Sequence, residues 1–261
     1  MSHRRARCAC AATAALALAL AGCGADVEHP ATTTSPAART TPTATTPAGE
    51  QPAGTSTTPQ QAQRRLRPPL AFHVRRRAQL RQAPGGKVVA TIRPKTEFKS
   101  PTILAVANRR PGWVLVRTSV AKHHVGWLPS KAGVLFSQPR TIVIDLSKRT
   151  LTLFHRGSPS NRYKIAIGAR GTETPTGKFA VTDRLKVQPG TPYGCCILAL
   201  TAHQTKIAQG WGGGDRVAIH ATPDDRVIGK AVSHGCLRAT NKALRQLMRK
   251  VRLGTPVTVH Q

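Results

Sequence analysis

The chain has 261 residues, of which 39% are apolar and 4% are aromatic, and it contains 20 prolines. These values exclude a chain that is globular throughout, so we expect a good part of it to be unfolded. The formal net charge of +30 would draw the protein toward polyanions. Charge alone does not choose among nucleic acid, anionic lipid and an acidic wall polymer.

The chain begins with the pattern of an export signal, which we assign to residues 1–22. Met1 to Arg7 carries three arginines and a histidine, and Cys8 to Ala21 is an almost unbroken run of Ala, Leu, Cys and Thr. Such a run behind basic residues is typical of a secretory signal and is too short for a helix that spans a bilayer. An exported protein rarely meets nucleic acid, and no nucleic-acid motif is recognised, so we expect no such partner.

The end of this segment, Leu20-Ala21-Gly22-Cys23, resembles a bacterial lipobox. The resemblance implies that the signal is cut before Cys23, whose thiol carries lipid. The protein would then be anchored to the outer face of the cell membrane and work in the cell wall space. Ordinary secretion with cleavage near Ala21 is the alternative.

A polar, proline-rich segment follows. From Gly24 to about Pro69 the sequence is mainly Ala, Thr, Pro and Gln, with almost no large apolar residue. This composition does not bury enough surface to offset the entropy of ordering the chain. We therefore interpret residues 23–69 as an extended tether that lets an anchored domain work away from the membrane.

Residues 70–138 have the texture of a small β domain. Short apolar stretches, such as Val88 to Ile92, Ile103 to Val106 and Trp113 to Val116, are separated by turn groups rich in Gly and Pro. Short strands with this punctuation indicate a small all-β barrel. The order of the short motifs resembles that of a bacterial SH3-like domain. These motifs are Leu80-Arg81, Pro84-Gly85, Gly112-Trp113-Val114-Leu115-Val116 and Gly126-Trp127-Leu128. The resemblance implies either a binder of wall peptides or a structural spacer.

Residues 139–261 also consist mostly of strand-like runs, among them Tyr163 to Ile167. Two of them flank Ser147-Lys148-Arg149, an easy hairpin loop. One helix is indicated by apolar residues at i, i+3, i+4 and i+7, with Thr240 or Asn241 to cap its start and Gly254 its end; its apolar residues are Leu244, Leu247, Met248 and Val251. The fold class that we predict is mainly β with one late helix.

Cys236 is the cysteine best placed for chemistry. It follows Gly235 and has His234 two positions before it. A thiol attacks only as thiolate, which needs a nearby cation, base or set of amide dipoles. Arg238 adds positive potential, and amides near Gly235 and Cys236 could hold the oxyanion that forms when sulfur attacks a carbonyl. Taken alone, a lone cysteine is more often a small buried hydrophobe.

His220 strengthens the case for catalysis. It ends the strand-like run Val217 to Ile219, where a side chain emerges from a sheet into a cleft, and residues 221–223 then turn the chain. The stretch from Ile219 to Arg238 closely resembles the signature of the L,D-transpeptidase (YkuD-like) family. Similar blocks of the family stand at Gly168, Thr174-Pro175-Thr176-Gly177-Lys178-Phe179 and Gly254-Thr255-Pro256-Val257. The resemblance covers about Arg140 to His260.

The family resemblance implies a role for each matching residue. Cys236 matches the nucleophile and His220 its general base. Ala221 stands where the family usually has glycine and orients the base through a backbone carbonyl. Ser233 and His234 match residues that shape the site. Gly235 and Cys236 would supply oxyanion amides, and Arg238 would contact substrate or form a salt bridge.

The resemblance also implies the reaction, which is 3→3 cross-linking of peptidoglycan stem peptides through a Cys236 thioester. No cofactor and no metal are expected, since the mature part has no cysteine or histidine cluster with zinc spacing, and we expect a monomer. Two alternatives stay open. Water or a protein amine could resolve the thioester, or the chain could be a non-catalytic wall-binding lipoprotein held by its basic surface.

Two further features receive structural interpretations. We expect the adjacent residues Cys195 and Cys196 to be two free thiols, because adjacent cysteines bridge only through a strained ring. We interpret Trp211 and its neighbouring glycines as a loop in preference to a flexible lid.

Overall fold

The computed structural model describes residues 66–121, 123–188 and 190–261. The predicted signal peptide with its lipidation site at Cys23, and the tether up to residue 65, lie outside the described residues. These assignments therefore stay predictions. Within the described ranges, no helix is long and apolar enough to cross a membrane.

Residues 70–137 form a seven-stranded sheet in the order β3-β2-β6-β5-β4-β1-β7, in which all pairs are antiparallel. Its core contains fully buried Phe72, Leu80, Val116 and Leu128. The strands are β1 Leu70–Val74, β2 Ala78–Arg81, β3 Val88–Ile92, β4 Ile103–Arg110, β5 Trp113–Arg117, β6 Val125–Pro129 and β7 Gly133–Ser137. The chain is thus all β here, as the short apolar stretches predict, whereas the SH3-like assignment stays a prediction.

Residues 140–260 form an eight-stranded sheet in the order β10-β9-β8-β17-β12-β13-β14-β16 and a two-stranded sheet of β11 and β15. Two neighbouring pairs of the large sheet, β8 with β17 and β14 with β16, are parallel. The strands are β8 Arg140–Asp145, β9 Thr150–His155, β10 Ser158–Lys164, β11 Ile167–Gly168, β12 Gly177–Lys186, β13 Cys196–His203, β14 Arg216–Thr222, β15 Ala231–Ser233, β16 Leu237–Thr240 and β17 Pro256–His260. The mainly β prediction is confirmed.

The predicted late helix is α1, Asn241–Lys250. Thr240 caps its start, since its hydroxyl accepts a hydrogen bond from the Ala243 amide at 3.1 Å. The helix ends earlier than predicted. Val251 is the C-cap and adopts an extended conformation, while Gly254, at φ +75°, donates its amide to Val181 O on β12. Gly254 therefore links the chain to the sheet and does not close the helix.

The two faces of the large sheet pack against different partners. One face, with Ile219 and Leu237, packs under α1 through Leu244 and Leu247. Because side chains alternate along an extended chain, the residues directly before Ile219 and Leu237 lie on the other face. Ala218 and Cys236 belong there to a second buried cluster that includes Trp211.

The seven-stranded sheet and the large sheet meet through the loop between β3 and β4. Thr96 Oγ1 donates to Asp183 Oδ1 at 2.6 Å. The Arg216 guanidinium contacts the Glu97 carboxylate and lies 3.5 Å from Asp183 Oδ2. Arg216 and Asp183 are buried, so this polar network fixes the two β units against each other.

Candidate active site

His220 on β14 and Cys236, the residue directly before β16, lie on the same face of the large sheet. β14 and β16 are parallel, with Ile219 opposite Leu237 and His220 opposite Arg238. Ala218 and His220 are two positions apart on β14 and so share a face, and the Ala218 amide lies 3.4 Å from Cys236 Sγ. This is the face on which a nucleophile and its base would have to meet.

The His220 ring is fixed by a backbone carbonyl and an aromatic ring. Its Nδ1 lies 2.6 Å from Ala221 O, the atom that the family resemblance assigned to orienting the base. With Nδ1 donating this bond, Nε2 is left as the proton acceptor. The Tyr193 ring packs edge-on at 4.9 Å between centroids. A Cβ on Gly194 would lie 2.5 Å from Ala221 Cβ, so the alanine side chain requires glycine opposite it.

Burial sets the protonation states of the pair. The low-polarity surroundings lower the pKa of His220 to about 4, although the bond to Ala221 O opposes this shift. Burial raises the pKa of the Cys236 thiol to about 11, while the Ala218 amide and the Arg238 charge act in the opposite direction. At neutral pH the site therefore holds a neutral thiol and a neutral imidazole.

The turn before Cys236 is held by side-chain hydrogen bonds. Gly235 has φ +109°, and its amide donates to Ser233 Oγ at 3.1 Å. The Ser233 hydroxyl in turn donates to Cys236 O, and Thr174 Oγ1 donates to Gly235 O at 2.9 Å. Ser233 thus shapes the turn. An oxyanion would have to compete with it for the Gly235 amide.

The two remaining predicted site residues differ in position. His234 is exposed, and its carbonyl accepts a hydrogen bond from Gln209 Nε2 at 2.9 Å. Arg238 is half-buried, and its Nε is buried without a hydrogen-bond partner among the described residues. Among the described residues, no carboxylate forms an ion pair with Arg238. Its charge is therefore available to the site.

Two residues near the sulfur were not predicted as site residues. Gln209 Oε1 accepts a hydrogen bond from Cys236 Sγ at 3.1 Å, and Tyr193 contacts His220. Both lie in irregular segments between strands. The only sequence signal for Gln209 was its place beside Trp211 and the surrounding glycines.

The prediction of two free thiols at Cys195 and Cys196 is wrong, because the two residues are joined by a disulfide. They lie where an irregular segment enters β13, with the Cys195 amide donating to Asn241 Oδ1 at 2.9 Å. The contact with Asn241 depends on a residue 46 positions away, so local spacing does not reveal the turn that brings the two sulfurs together. Cys236 is the free cysteine of the described residues, and no cluster there of three His, Cys, Asp or Glu side chains could hold a metal ion.

Comparison with known proteins places this site in a family. Residues 139–259 match the model of the YkuD family, described as the L,D-transpeptidase catalytic domain. The chain is similar to the protein named YkuD of Bacillus subtilis (strain 168), with 36% identity over 126 residues, which are 48% of this chain and 69% of that protein. It is also 36% identical over 121 residues to YkuD of Bacillus licheniformis, covering 46% of this chain and 66% of that protein.

Among solved structures, the chain matches L,D-transpeptidase 3 from Mycobacterium tuberculosis, in complex with a faropenem-derived adduct. The TM-score is 0.42 and the identity 16%, over 52% of this chain and 73% of that chain. On the strength of the Bacillus relative, the chain belongs to the L,D-transpeptidase (YkuD) family.

Proposed function

We propose that this protein is a peptidoglycan L,D-transpeptidase that forms 3→3 cross-links through a Cys236 thioester, with His220 as general base. The observation that carries the proposal is that His220 on β14 and Cys236, directly before β16, lie on one face of the sheet, with His220 Nδ1 held by Ala221 O. The membership of the chain in the L,D-transpeptidase family supports the same reaction class.

The first half-reaction forms the acyl-enzyme. His220 Nε2 takes the proton of the Cys236 thiol, and the sulfur attacks the carbonyl between the third and fourth residues of a stem tetrapeptide. The negative charge that develops on the carbonyl oxygen is stabilised by backbone amides at the turn and by Arg238. The C–N bond then breaks, and the imidazolium returns the proton to the departing amine of D-alanine.

The second half-reaction transfers the acyl group. The side-chain amine of a diamino acid on a neighbouring stem attacks the thioester carbonyl. His220 accepts a proton from this amine, an amide bond forms, and the sulfur leaves and is reprotonated. Two steps through one covalent intermediate give ping-pong kinetics.

Two rival proposals differ from this one in what Cys236 does. If water or a protein amine resolves the thioester, the products are a shortened stem or an anchored protein. If the chain is a non-catalytic wall binder, Cys236 has no role. The buried pair and the network around the Ser233 turn favour catalysis over the second rival, because a binder has no need of them.

The proposal is tested by covalent labelling. Protein without its signal should gain one carbapenem-derived mass, and Cys236→Ala should gain none. His220→Gln should be acylated at least about 100-fold more slowly, because the thiol loses its base. His260→Gln, at an exposed position of β17, serves as the matched control and should react like wild type. Labelling of Cys236→Ala at the wild-type rate would contradict the assignment of the nucleophile.

We further propose that the mature protein is held at the membrane by lipid on Cys23, because Leu20-Ala21-Gly22-Cys23 has the form of a lipobox. Growth with an alkyne fatty acid should label the wild-type protein and leave Cys23→Ala unlabelled. Equal labelling of both would refute the anchor.

We also propose an anionic partner, a phosphate-bearing wall polymer. A cavity of about 1040 Å³ lies beside the segment that carries Tyr193 and is lined by Lys186, Arg245 and Arg249. No Asp or Glu among the described residues lines it, and Met248 and the Cys195–Cys196 disulfide contribute apolar surface. A phosphodiester chain fits such a cationic rim.

A further inference from the structure

Gln209 is the residue closest to the reacting sulfur that the proposed mechanism does not use. Its Oε1 accepts a hydrogen bond from Cys236 Sγ at 3.1 Å. Its side-chain Nε2 donates to His234 O at 2.9 Å and to Ile207 O at 3.2 Å. Its backbone amide donates to Gly214 O at 2.7 Å. The side chain is 9% exposed. These bonds fix which end of the carboxamide faces the thiol, so the oxygen and not the NH₂ group points at Cys236.

The loop that carries Gln209 is held down by Trp211. The indole packs in the same buried cluster as Cys236 and Ala218, and its Nε1 donates to Arg216 O at 3.0 Å. A Cβ on Gly213 would lie 2.1 Å from the indole, so the ring lies directly against that backbone. The position of Gln209 therefore depends on how firmly Trp211 is seated.

The seven-stranded β unit reaches this loop through Phe98. The Phe98 ring stacks on Trp211 at 5.5 Å between centroids. The Arg216 guanidinium lies 5.9 Å from the Phe98 ring and 5.8 Å from the Trp211 ring, and it also contacts Glu97. Two consecutive residues of the β3–β4 loop thus secure the segment that covers Cys236.

We propose that Gln209 holds Cys236 as a neutral thiol in the substrate-free enzyme, and that Phe98 keeps Gln209 in place through Trp211. Substrate has to displace the Gln209 oxygen before the sulfur ionises. The seven-stranded unit thereby influences how readily the Cys236 thiol ionises. This inference rests on the proposed function, in which Cys236 is that nucleophile.

The groups that face the sulfur act in opposite directions. The Ala218 amide and the Arg238 cation favour the thiolate. Burial opposes it, and so does the Gln209 oxygen, because its partial negative charge accepts a bond that only the protonated sulfur can donate. Tyr193 and His220 complete the surroundings, and His220 is uncharged at neutral pH. Removing the oxygen should therefore release the thiolate, whereas a full negative charge in its place should suppress it.

The test is the rate of iodoacetamide alkylation at Cys236, followed by peptide mass spectrometry in the full chain between pH 6 and 11. For Gln209→Ala we expect alkylation at pH 7.5 to be about 10-fold faster, with the apparent pKa of Cys236 about one unit lower. For Gln209→Glu we expect alkylation to be about 10-fold slower, with a higher apparent pKa. Gln246→Ala, on α1, serves as the matched control and should match wild type.

Changes of opposite sign in the two Gln209 variants are the decisive result, because damage to the loop would move both in one direction. An unchanged apparent pKa, or a shift in the same direction for both, would overturn the inference. Alkylation needs only a thiol. A protein that fails to acylate carbapenem but shows the two opposite shifts would contradict the proposed function and leave the Gln209 contact standing.

The role of Phe98 is tested in the same assay. Phe98→Ala should speed alkylation about 3-fold to 10-fold, in the direction of Gln209→Ala. Phe154→Ala removes a ring of similar burial on β9 and should leave the rate unchanged. Phe98→Leu, which keeps apolar volume, should give a smaller acceleration. Wild-type rates in both Phe98 variants would show that the seven-stranded unit has no part in holding Gln209.

Discussion

Burial of the His220 imidazole links the stability of the fold to pH. Its pKa is about 4 in the folded protein, against an ordinary value of 6.5. Between these values the unfolded chain binds the proton and the folded protein does not, so the free energy of unfolding falls as the pH falls. The full shift corresponds to about 3 kcal/mol, present above pH 6.5 and lost by about pH 4.

Urea unfolding of wild type and His220→Gln at pH 7.5 and 4.5 measures this link. We expect the free energy of unfolding of wild type to fall by about 2–3 kcal/mol more than that of the variant between pH 7.5 and 4.5, because glutamine does not titrate. His260→Gln, which removes an exposed imidazole, should lose as much as wild type. If His220→Gln has the same pH dependence as wild type, His220 is not the group that is buried uncharged.

At the scale of single residues, the sequence pattern predicted Cys236, His220 and the Ala221 carbonyl as parts of one site, because all three lie in one continuous stretch of chain. It did not locate Gln209 or Tyr193. Their contacts depend on the path of irregular segments that return to the site from the other side, and local spacing does not encode such a path. The disulfide between Cys195 and Cys196 was missed for a related reason, since the turn at Cys195 is held by Asn241, distant in sequence.

At the scale of elements, apolar periodicity predicted the strands and the helix well. The hairpin loop at Ser147-Lys148-Arg149 is present between β8 and β9. It is closed by Asp145, which accepts a hydrogen bond from the Lys148 amide at 2.8 Å. Tyr163 to Ile167 was predicted as one strand, but β10 ends at Lys164, Ala166 forms an isolated bridge with Arg238, and β11 begins at Ile167 in the small sheet. The break follows from pairing with β15, which no local pattern shows.

Strand order was not accessible from these patterns. The parallel pairing of β14 with β16 brings Cys236 next to Ala218, and it depends on a crossover that returns the chain to the same sheet. Apolar periodicity states which residues face a core. It does not state which strand is the neighbour.

At the scale of the whole molecule, the excess of positive charge bears on binding. We predict that a triple variant of the cavity, Lys186→Gln with Arg245→Gln and Arg249→Gln, binds poly(glycerol phosphate) at least about 10-fold more weakly than wild type at 0.15 M salt. The reason is that a lined cavity concentrates the field, whereas scattered exposed charges are screened within about 8 Å.

The control removes the same number of charges elsewhere, at exposed Lys87, Arg109 and Arg156, and should weaken binding less than about 3-fold. Co-sedimentation over a range of polymer concentrations measures both. If the two triple variants lose equal affinity, the polymer responds to net charge and not to the cavity.

The sequence by itself determined that the described chain is mainly β with one late helix, and it singled out a cysteine and a histidine on neighbouring segments. Periodicity and short-range spacing carry that information. Only the tertiary structure decided that both side chains share one face, that burial leaves both uncharged, and that the Gln209 carboxamide contacts the sulfur. Burial and hydrogen bonding depend on which distant segments pack together, and that is a property of the folded whole.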